Sequence, residues 1–382
     1  MKKIMLVCGE PSGDQLGAEL MRGLKALAPD VQITGVGGAA MAREGLNSLF
    51  PLDATAVMGL REVVPAIPRI LARVRQAVQF ALSTRPDVVV LIDSPDFTHR
   101  IARALKQRDP AMRTVNYVAP QVWASRPYRA KAMARYFDLV LALLPFEPPF
   151  FETYGLKAVF VGHPAIERAA RMTGGAELRA RLGIAPDAPV LALLPGSRSN
   201  EIRFLLPAFR QTVAILAQRI PGLVTLLPIV PHVAHKVRAG VAGWPTTLHI
   251  IEGEADKFSA FNAATAALAA SGTVTTELAL ARTPMVAAYR MGWLTHKLMN
   301  PLITARYMTL VDTLLDARAV PEFYQDDVKP EAMAAALVPL LTDPVAQASQ
   351  VVQLDEAMRR MGCDEESPSL RAARALLDFI AQ

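Results

Sequence analysis

The sequence has little that would cross-link it or carry it through a membrane. Two cysteines, Cys8 and Cys363, occur in 382 residues, with no C-x-x-C pair and no zinc-ligand spacing. That excludes a disulfide framework and predicts both thiols as packing residues in a reducing compartment. Aromatic residues make up 6% of the chain. The aromatic motifs of RNA-binding modules are missing and the basic residues are scattered, so no nucleic-acid partner is expected. No run reaches the roughly 20 apolar residues of a spanning helix. Val88–Ile92 and Leu139–Leu144 are strand-sized, and the stretch 263–288 is interrupted by Ser271, Gly272, Thr273 and Glu277. Lys2 and Lys3 are followed by only Ile4–Cys8 before Gly9-Glu10, too short for a secretory-signal core, which predicts a cytoplasmic protein. Also absent are G-x-x-x-x-G-K-[ST], H-E-x-x-H and D-x-D, so neither a P-loop nor a bound metal is expected.

What is present is apolar and basic at once. Hydrophobic residues are 52%, and 41 Lys and Arg against 35 Asp and Glu give a net charge of +6. Such a chain can bury about two domain cores and suits anionic partners. Short aliphatic runs alternate with helical stretches. Ile4–Cys8, Gln32–Val36, Val88–Ile92, Thr114–Val118, Leu139–Leu143 and Ala158–Val161 read as strands buried on both faces, the mark of a parallel sheet. The alternation breaks at Ala165–Ala176 and restarts with Val190–Leu194, Val224–Leu227, His249–Ile251, Ala266–Ala270 and Met285–Ala288. From Pro330 onward the pattern is helical, with prolines opening Pro330–Leu341, Pro344–Met361 and Pro368–Ala381. The expected fold class is α/β. Two doubly wound domains would cover residues 1–168 and 176–344, followed by a helical tail.

In such sheets ligands bind beyond the carboxyl ends of strands, so the residues there carry the chemistry. After the first strand, Gly9-Glu10-Pro11-Ser12-Gly13-Asp14 opens a helix. It reads either as a ligand-approaching turn or as a tight turn capped by Ser12 or Asp14. Gly35-Val36-Gly37-Gly38-Ala39-Ala40 fits a dinucleotide fingerprint only loosely. It follows the second strand without the expected acidic partner, so a structural turn is favoured. Asp93 and Asp96, in Asp93-Ser94-Pro95-Asp96, are candidate general bases; Asp96 could instead cap the helix from Phe97. In the second half, Gly196, Ser197 and Arg198 suit phosphate, against a solvated loop capped by Asn200. Ser271, Gly272 and Thr273 begin a helix whose free amides could receive a diphosphate. Glu277 could bind ribose hydroxyls or belong to an imperfect capping box. His163, in Val161-Gly162-His163-Pro164, is placed for either a ligand contact or a linker role. Val57, Met58, Leu60, Val63, Val64, Ile67, Ile70, Leu71 and Val74 form an apolar stripe interleaved with Arg61, Arg69, Arg73 and Arg75. A membrane interface and a helix packed on its own sheet both produce that pattern.

Eight segments then occur in a familiar order: Gly9–Asp14, Ala56–Gly59, Ile92–Phe97, Tyr117–Ala124, Leu144–Glu147, Val161–Pro164, Leu194–Arg198 and Ala270–Thr273. With them the chain resembles the lipid-A-disaccharide synthase family from Ile4 to about Leu376. The resemblance implies a GT-B glycosyltransferase without a cofactor, with two Rossmann-like domains and C-terminal helices, about 345–382, that return to the first of them. It would join UDP-2,3-diacylglucosamine to 2,3-diacylglucosamine 1-phosphate, giving a β(1→6) disaccharide 1-phosphate and UDP. It implies Asp93 as base and Arg198 on phosphate. Gly196, Ser197, Ser271, Gly272, Thr273 and Glu277 would sit around UDP, and Ser12, Gly13, Asp14, Met58 and Asp96 around the acceptor. It further implies docking on the inner face of the inner membrane through the Val57–Val74 stripe, and it is compatible with a homodimer. The chain departs from the family at Ser125, where a tryptophan is common, and at Val311-Asp312, where a Pro-Asn pair is common. Asp312 therefore takes the place of an active-site asparagine. A UDP-sugar 2-epimerase is the alternative of the same architecture.

Overall fold

The computed structural model describes residues 2–52, 60–125, 127–169, 172–299 and 303–382, with side chains at 60–66, 125, 294, 298 and 299 outside the description. Met58 and Arg126 therefore lie outside the described residues. The chain forms two compact units, Met1–Pro164 with Asp364–Gln382, and Ala165–Cys363.

The first unit is built on β1 (Lys3–Cys8), β2 (Gln32–Val36), β3 (Val88–Ile92), β4 (Thr114–Tyr117), β5 (Leu139–Ala142) and β6 (Ala158–Phe160), ordered β2-β1-β3-β4-β5-β6. Every recorded pairing is parallel. Side chains alternate between two buried layers, which explains the unbroken apolar runs. Met5, Val7, Val89 and Leu91 pack with Val74, Val78, Ile101 and Leu105 on one side. Ile4, Leu6, Val88 and Val90 face Leu20, Leu24, Ala373 and Leu376 on the other. The last two belong to the C-terminal helix Pro368–Ala381, which closes this unit.

The second unit holds β7 (Val190–Leu194), β8 (Val224–Ile229), β9 (Thr247–Glu252), β10 (Ala266–Ala270), β11 (Met285–Tyr289) and β12 (Glu322–Tyr324), ordered β12-β11-β10-β7-β8-β9. These pairings are parallel too. The helices Ser199–Arg219 and Pro330–Thr342 bury Phe209, Val213, Met333 and Leu337 against one face. In both sheets the strand order reverses beside the first strand, between β1 and β3 and between β7 and β10. Doubly wound sheets bind ligands at such points.

Two expectations of organisation need correction. The return to the first unit is one helix: Pro344–Arg360 stays in the second, carrying buried Leu354, Ala357 and Met358 and donating through Gln350 to the Met285 and Ala319 carbonyls. The first unit likewise ends at Pro164, before the helix Ala165–Ala169, most of which a boundary at 168 would include.

Candidate functional site

At the β1/β3 reversal the helix Pro11–Leu27 has Glu10 as its N-cap, not Ser12 or Asp14. Gly13 lets the chain pack closely there. A Cβ on it would stand 3.0 Å from the Cys8 Cβ and 3.3 Å from the Ile92 carbonyl oxygen. This close approach sets Ser12 beside Asp93, and its Oγ donates to Asp93 Oδ2 at 3.1 Å. Asp93 and Ser94 both have left-handed backbones, φ 51° and 44°. Two such non-glycine residues in succession are strained and persist only when the surroundings hold them. Here the Asp93 N–H donates to the Tyr117 carbonyl at 3.0 Å, and Thr98 Oγ1 donates to the Asp93 carbonyl at 2.6 Å. The cap of the next helix, Pro95–Arg108, is Ser94, so Asp96 lies in its first turn, exposed, and is not the cap. Glu10 joins these acids: its carboxyl is raised by burial and then by the charge of Asp93. Cys8, beneath them, is pushed up to about 12 by burial and by Asp14, and is no nucleophile.

Asp14 is drawn into the fold. It is buried, and its carboxylate accepts the N–H groups of Gly38 (2.7 Å), Ala40 (2.8 Å) and Met41 (3.0 Å). It does not cap its own helix; it ties the β2 turn to the first helix. Asp14→Ala would strand three donors at about 1–3 kcal/mol each where water cannot replace the carboxylate. The expected result is a loss of about 3–5 kcal/mol in urea unfolding with an unchanged acceptor KM in the folded variant. A raised KM at unchanged stability would return Asp14 to the acceptor.

At the β7/β10 reversal a cavity of about 550 Å³ opens, lined by Gly196, Ser197 and Arg198 after β7 and by Ser271, Gly272 and Thr273 after β10. Gly196 has φ +111°, and a Cβ on it would stand 2.5 Å from that of Glu201. The space matters because Glu201 folds back under the loop. Its Oε2 accepts from the Ser197 N–H (2.9 Å) and the Arg198 N–H (3.1 Å), and its Oε1 pairs with the Arg198 guanidinium at 2.8 Å. Arg198 itself is 80% exposed. Across the cavity Gly272 is the N-cap of the helix Thr273–Leu280, whose first turn lines the wall. The Ser271 hydroxyl is turned away, donating to the Met308 carbonyl at 2.8 Å. Glu277 caps nothing. Buried one turn into the helix, it pairs with Lys257 at 3.0 Å and approaches Arg168 at 3.9 Å. Sequence reading missed Glu201, Lys257 and the apolar edge Pro228–Val230. The last lies at the carboxyl end of β8, where the strand rule could have found it.

Asp312 departs from its expected catalytic place. It is fully buried, and its Oδ1 accepts from the Ala319 (2.9 Å) and Val320 (3.0 Å) N–H groups. It therefore latches a loop. Burial raises its carboxyl to about 6, against the pull of those two N–H groups, and Oδ2 has no hydrogen-bond partner among the described residues. A carboxyl held above its ordinary 3.8 stabilises the fold fully below about pH 4, and that contribution is lost as pH rises through 6. Asp312→Asn keeps the acceptor and cannot ionise. It should be more stable than the parent by about 1–3 kcal/mol at pH 8, with the difference vanishing near pH 4 in denaturant titrations.

The family profile described as lipid-A-disaccharide synthetase matches residues 4–373. The lipid-A-disaccharide synthase of Rhodospirillum centenum is 47% identical over 380 residues, covering 99% of this chain and 95% of that protein. Among solved structures, the UDP-GlcNAc 2-epimerase from Neisseria meningitidis bound to UDP-GlcNAc superposes with TM-score 0.66 at 12% identity, with full coverage of both chains. MurG of Acinetobacter baumannii gives TM-score 0.58 at 14% identity, covering 100% of this chain and 99% of that one. At these identities the two structures establish the fold alone.

Proposed function

This chain belongs to the lipid-A-disaccharide synthase family, and from that premise we propose how its residues divide the reaction. The reaction is the transfer of diacylglucosamine from UDP to the 6-hydroxyl of diacylglucosamine 1-phosphate. On the first unit, Asp93 takes the hydroxyl proton as the oxygen attacks the anomeric carbon. Ser12, the Gly13 backbone and Asp96 frame the acceptor around it. On the second unit, the bond to the β-phosphate breaks and its electron pair leaves with UDP. Arg198 and the amides of the helix from Thr273 receive that charge, and Glu277 takes the ribose hydroxyls. A single displacement inverts the anomeric centre. The observation that carries the reading is the cavity at the β7/β10 reversal, with a guanidinium on one wall and a helix N-terminus on the other.

Diacyl substrates reside in a membrane, and no described helix is long and apolar enough to cross one. The helix Leu60–Thr84 supports peripheral docking at the inner face of the inner membrane. Val74, Ala77, Val78 and Ala81 are buried on the sheet, while Ile67 (44%) and Leu71 (37%) are exposed beside exposed Arg69 and Arg75. Apolar groups flanked by arginines fit an anionic lipid surface. Purified protein in mixed micelles should release UDP only when both the UDP-diacylglucosamine and the monosaccharide 1-phosphate are present. Epimerisation of a UDP-sugar without transfer would replace this reading.

A further inference from the structure

Glu147 is buried at 2% exposure, yet it is the first residue of a helix, Glu147–Glu152, where glutamates normally face water. Its Oε2 accepts the N–H groups of Leu143 and Leu144, each at 3.0 Å, and its Oε1 accepts from the Trp123 indole at 3.2 Å. One carboxylate thus joins the turn after β5 to the turn after β4. Burial lifts it to about 7 against the pull of those three donors, so an ionisable group is placed here at a cost. The loop it holds leaves β4 through Val118, a β-branched residue with φ 69°, a rare and strained conformation. Trp123 is half-buried and meets Phe146 edge-on at 4.9 Å. Its strand lies beside that of the base: the Asp93 N–H bonds to Tyr117, and the Val118 N–H to Leu141. Adjacent strands run about 5 Å apart, so the turns after β3, β4 and β5 rise together at the carboxyl edge of one sheet.

We propose that Glu147 is a positioning residue that fixes the Trp123 indole as a wall of the acceptor site, against which the apolar face of the acceptor's glucosamine ring packs. The proposal rests on the transferase reading above. An amphipathic ring with its N–H anchored offers a rigid apolar surface at little entropic cost, and a primary hydroxyl must be held in line to react. Glu147→Gln is a specific probe. The amide oxygen can keep both backbone bonds, while its NH₂ then faces the indole N–H, donor against donor.

In transferase assays, Glu147→Gln should raise the acceptor KM about tenfold with donor KM unchanged and kcat within about threefold. Trp123→Phe should do the same, and Trp123→Ala should raise it further. Trp244→Phe with Trp293→Phe leaves Trp123 as the only tryptophan of three. Its emission should then shift on titration with diacylglucosamine 1-phosphate micelles without donor, but not with detergent alone, and Glu147→Gln should halve that response or more. An unchanged acceptor KM, an equal rise in both KM values, or a lowered melting temperature with unchanged KM would overturn the proposal. If the parent enzyme releases no UDP, the transferase reading fails by itself. The emission arm then decides: silence on adding the acceptor overturns the wall.

Discussion

Asp93→Asn should lower kcat by about 100- to 10,000-fold, the range that general-base catalysis supplies, while leaving the melting temperature and UDP affinity near those of the parent. The substitution is gentle for structural reasons. Asparagine tolerates the left-handed backbone that Asp93 adopts at φ 51°, and its amide oxygen can still accept from Ser12 Oγ, now 3.1 Å from Oδ2. Only the capacity to take a proton is removed. Asp96→Asn should leave kcat nearly unchanged, because asparagine keeps a polar contact to the acceptor and Asp96 lies outside the strained tip that aims Asp93. Glu10 is an acid near enough to feel the charge of Asp93, and desolvation and that charge raise its carboxyl, but it sits exposed at the N-cap of its own helix, off the strained strand tip. Glu10→Gln should therefore alter turnover far less than Asp93→Asn. The measurement is steady-state UDP release with saturating donor. An Asp93→Asn enzyme above about a tenth of parental kcat would move the base elsewhere.

Much of this was readable because parallel strands covered on both faces must be apolar throughout. Val88–Ile92, Val190–Leu194 and Ala266–Ala270 stand at their expected bounds. β12 was not readable: its three residues, Glu322–Tyr324, are half-buried at a sheet edge and leave no run. The strand-tip rule carried attention to Asp93, Arg198 and Gly272, which the fold sets at the two strand-order reversals. It misled at Asp14, whose partners lie 24 to 27 residues onward and leave no local trace. Asp312 entered by resemblance, and nothing in the sequence shows that its oxygen accepts from Ala319 and Val320. Glu147 escaped notice because an acid at a helix start satisfies the ordinary dipole argument, which hides its burial. Carboxylates were recognisable as chemistry; which of them the fold had already satisfied was not.

Arg198→Ala should be the second large loss, about 100-fold or more in kcat, the scale of removing one preorganised donor from a developing anion. Exposure alone argues against so large a number, since a guanidinium 80% open to water is well screened in the free protein. Two features favour it. Glu201 already holds the side chain at 2.8 Å and two loop N–H groups at 2.9 and 3.1 Å, so little ordering remains when a diphosphate arrives. The loop also lines the same cavity as the helix from Thr273, so a bound diphosphate would displace the water that screens Arg198. Arg198→Lys keeps the charge without the two-pronged geometry and should recover only part of the rate. Glu201→Gln separates the two contributions. It retains one acceptor for the loop but loses the ion pair, so UDP affinity should fall only a few-fold while kcat drops about tenfold. The checks are kcat at saturating donor and UDP binding by calorimetry. A fall in UDP affinity with kcat unchanged in Arg198→Ala would make Arg198 a ground-state anchor, leaving the leaving-group charge to the helix amides.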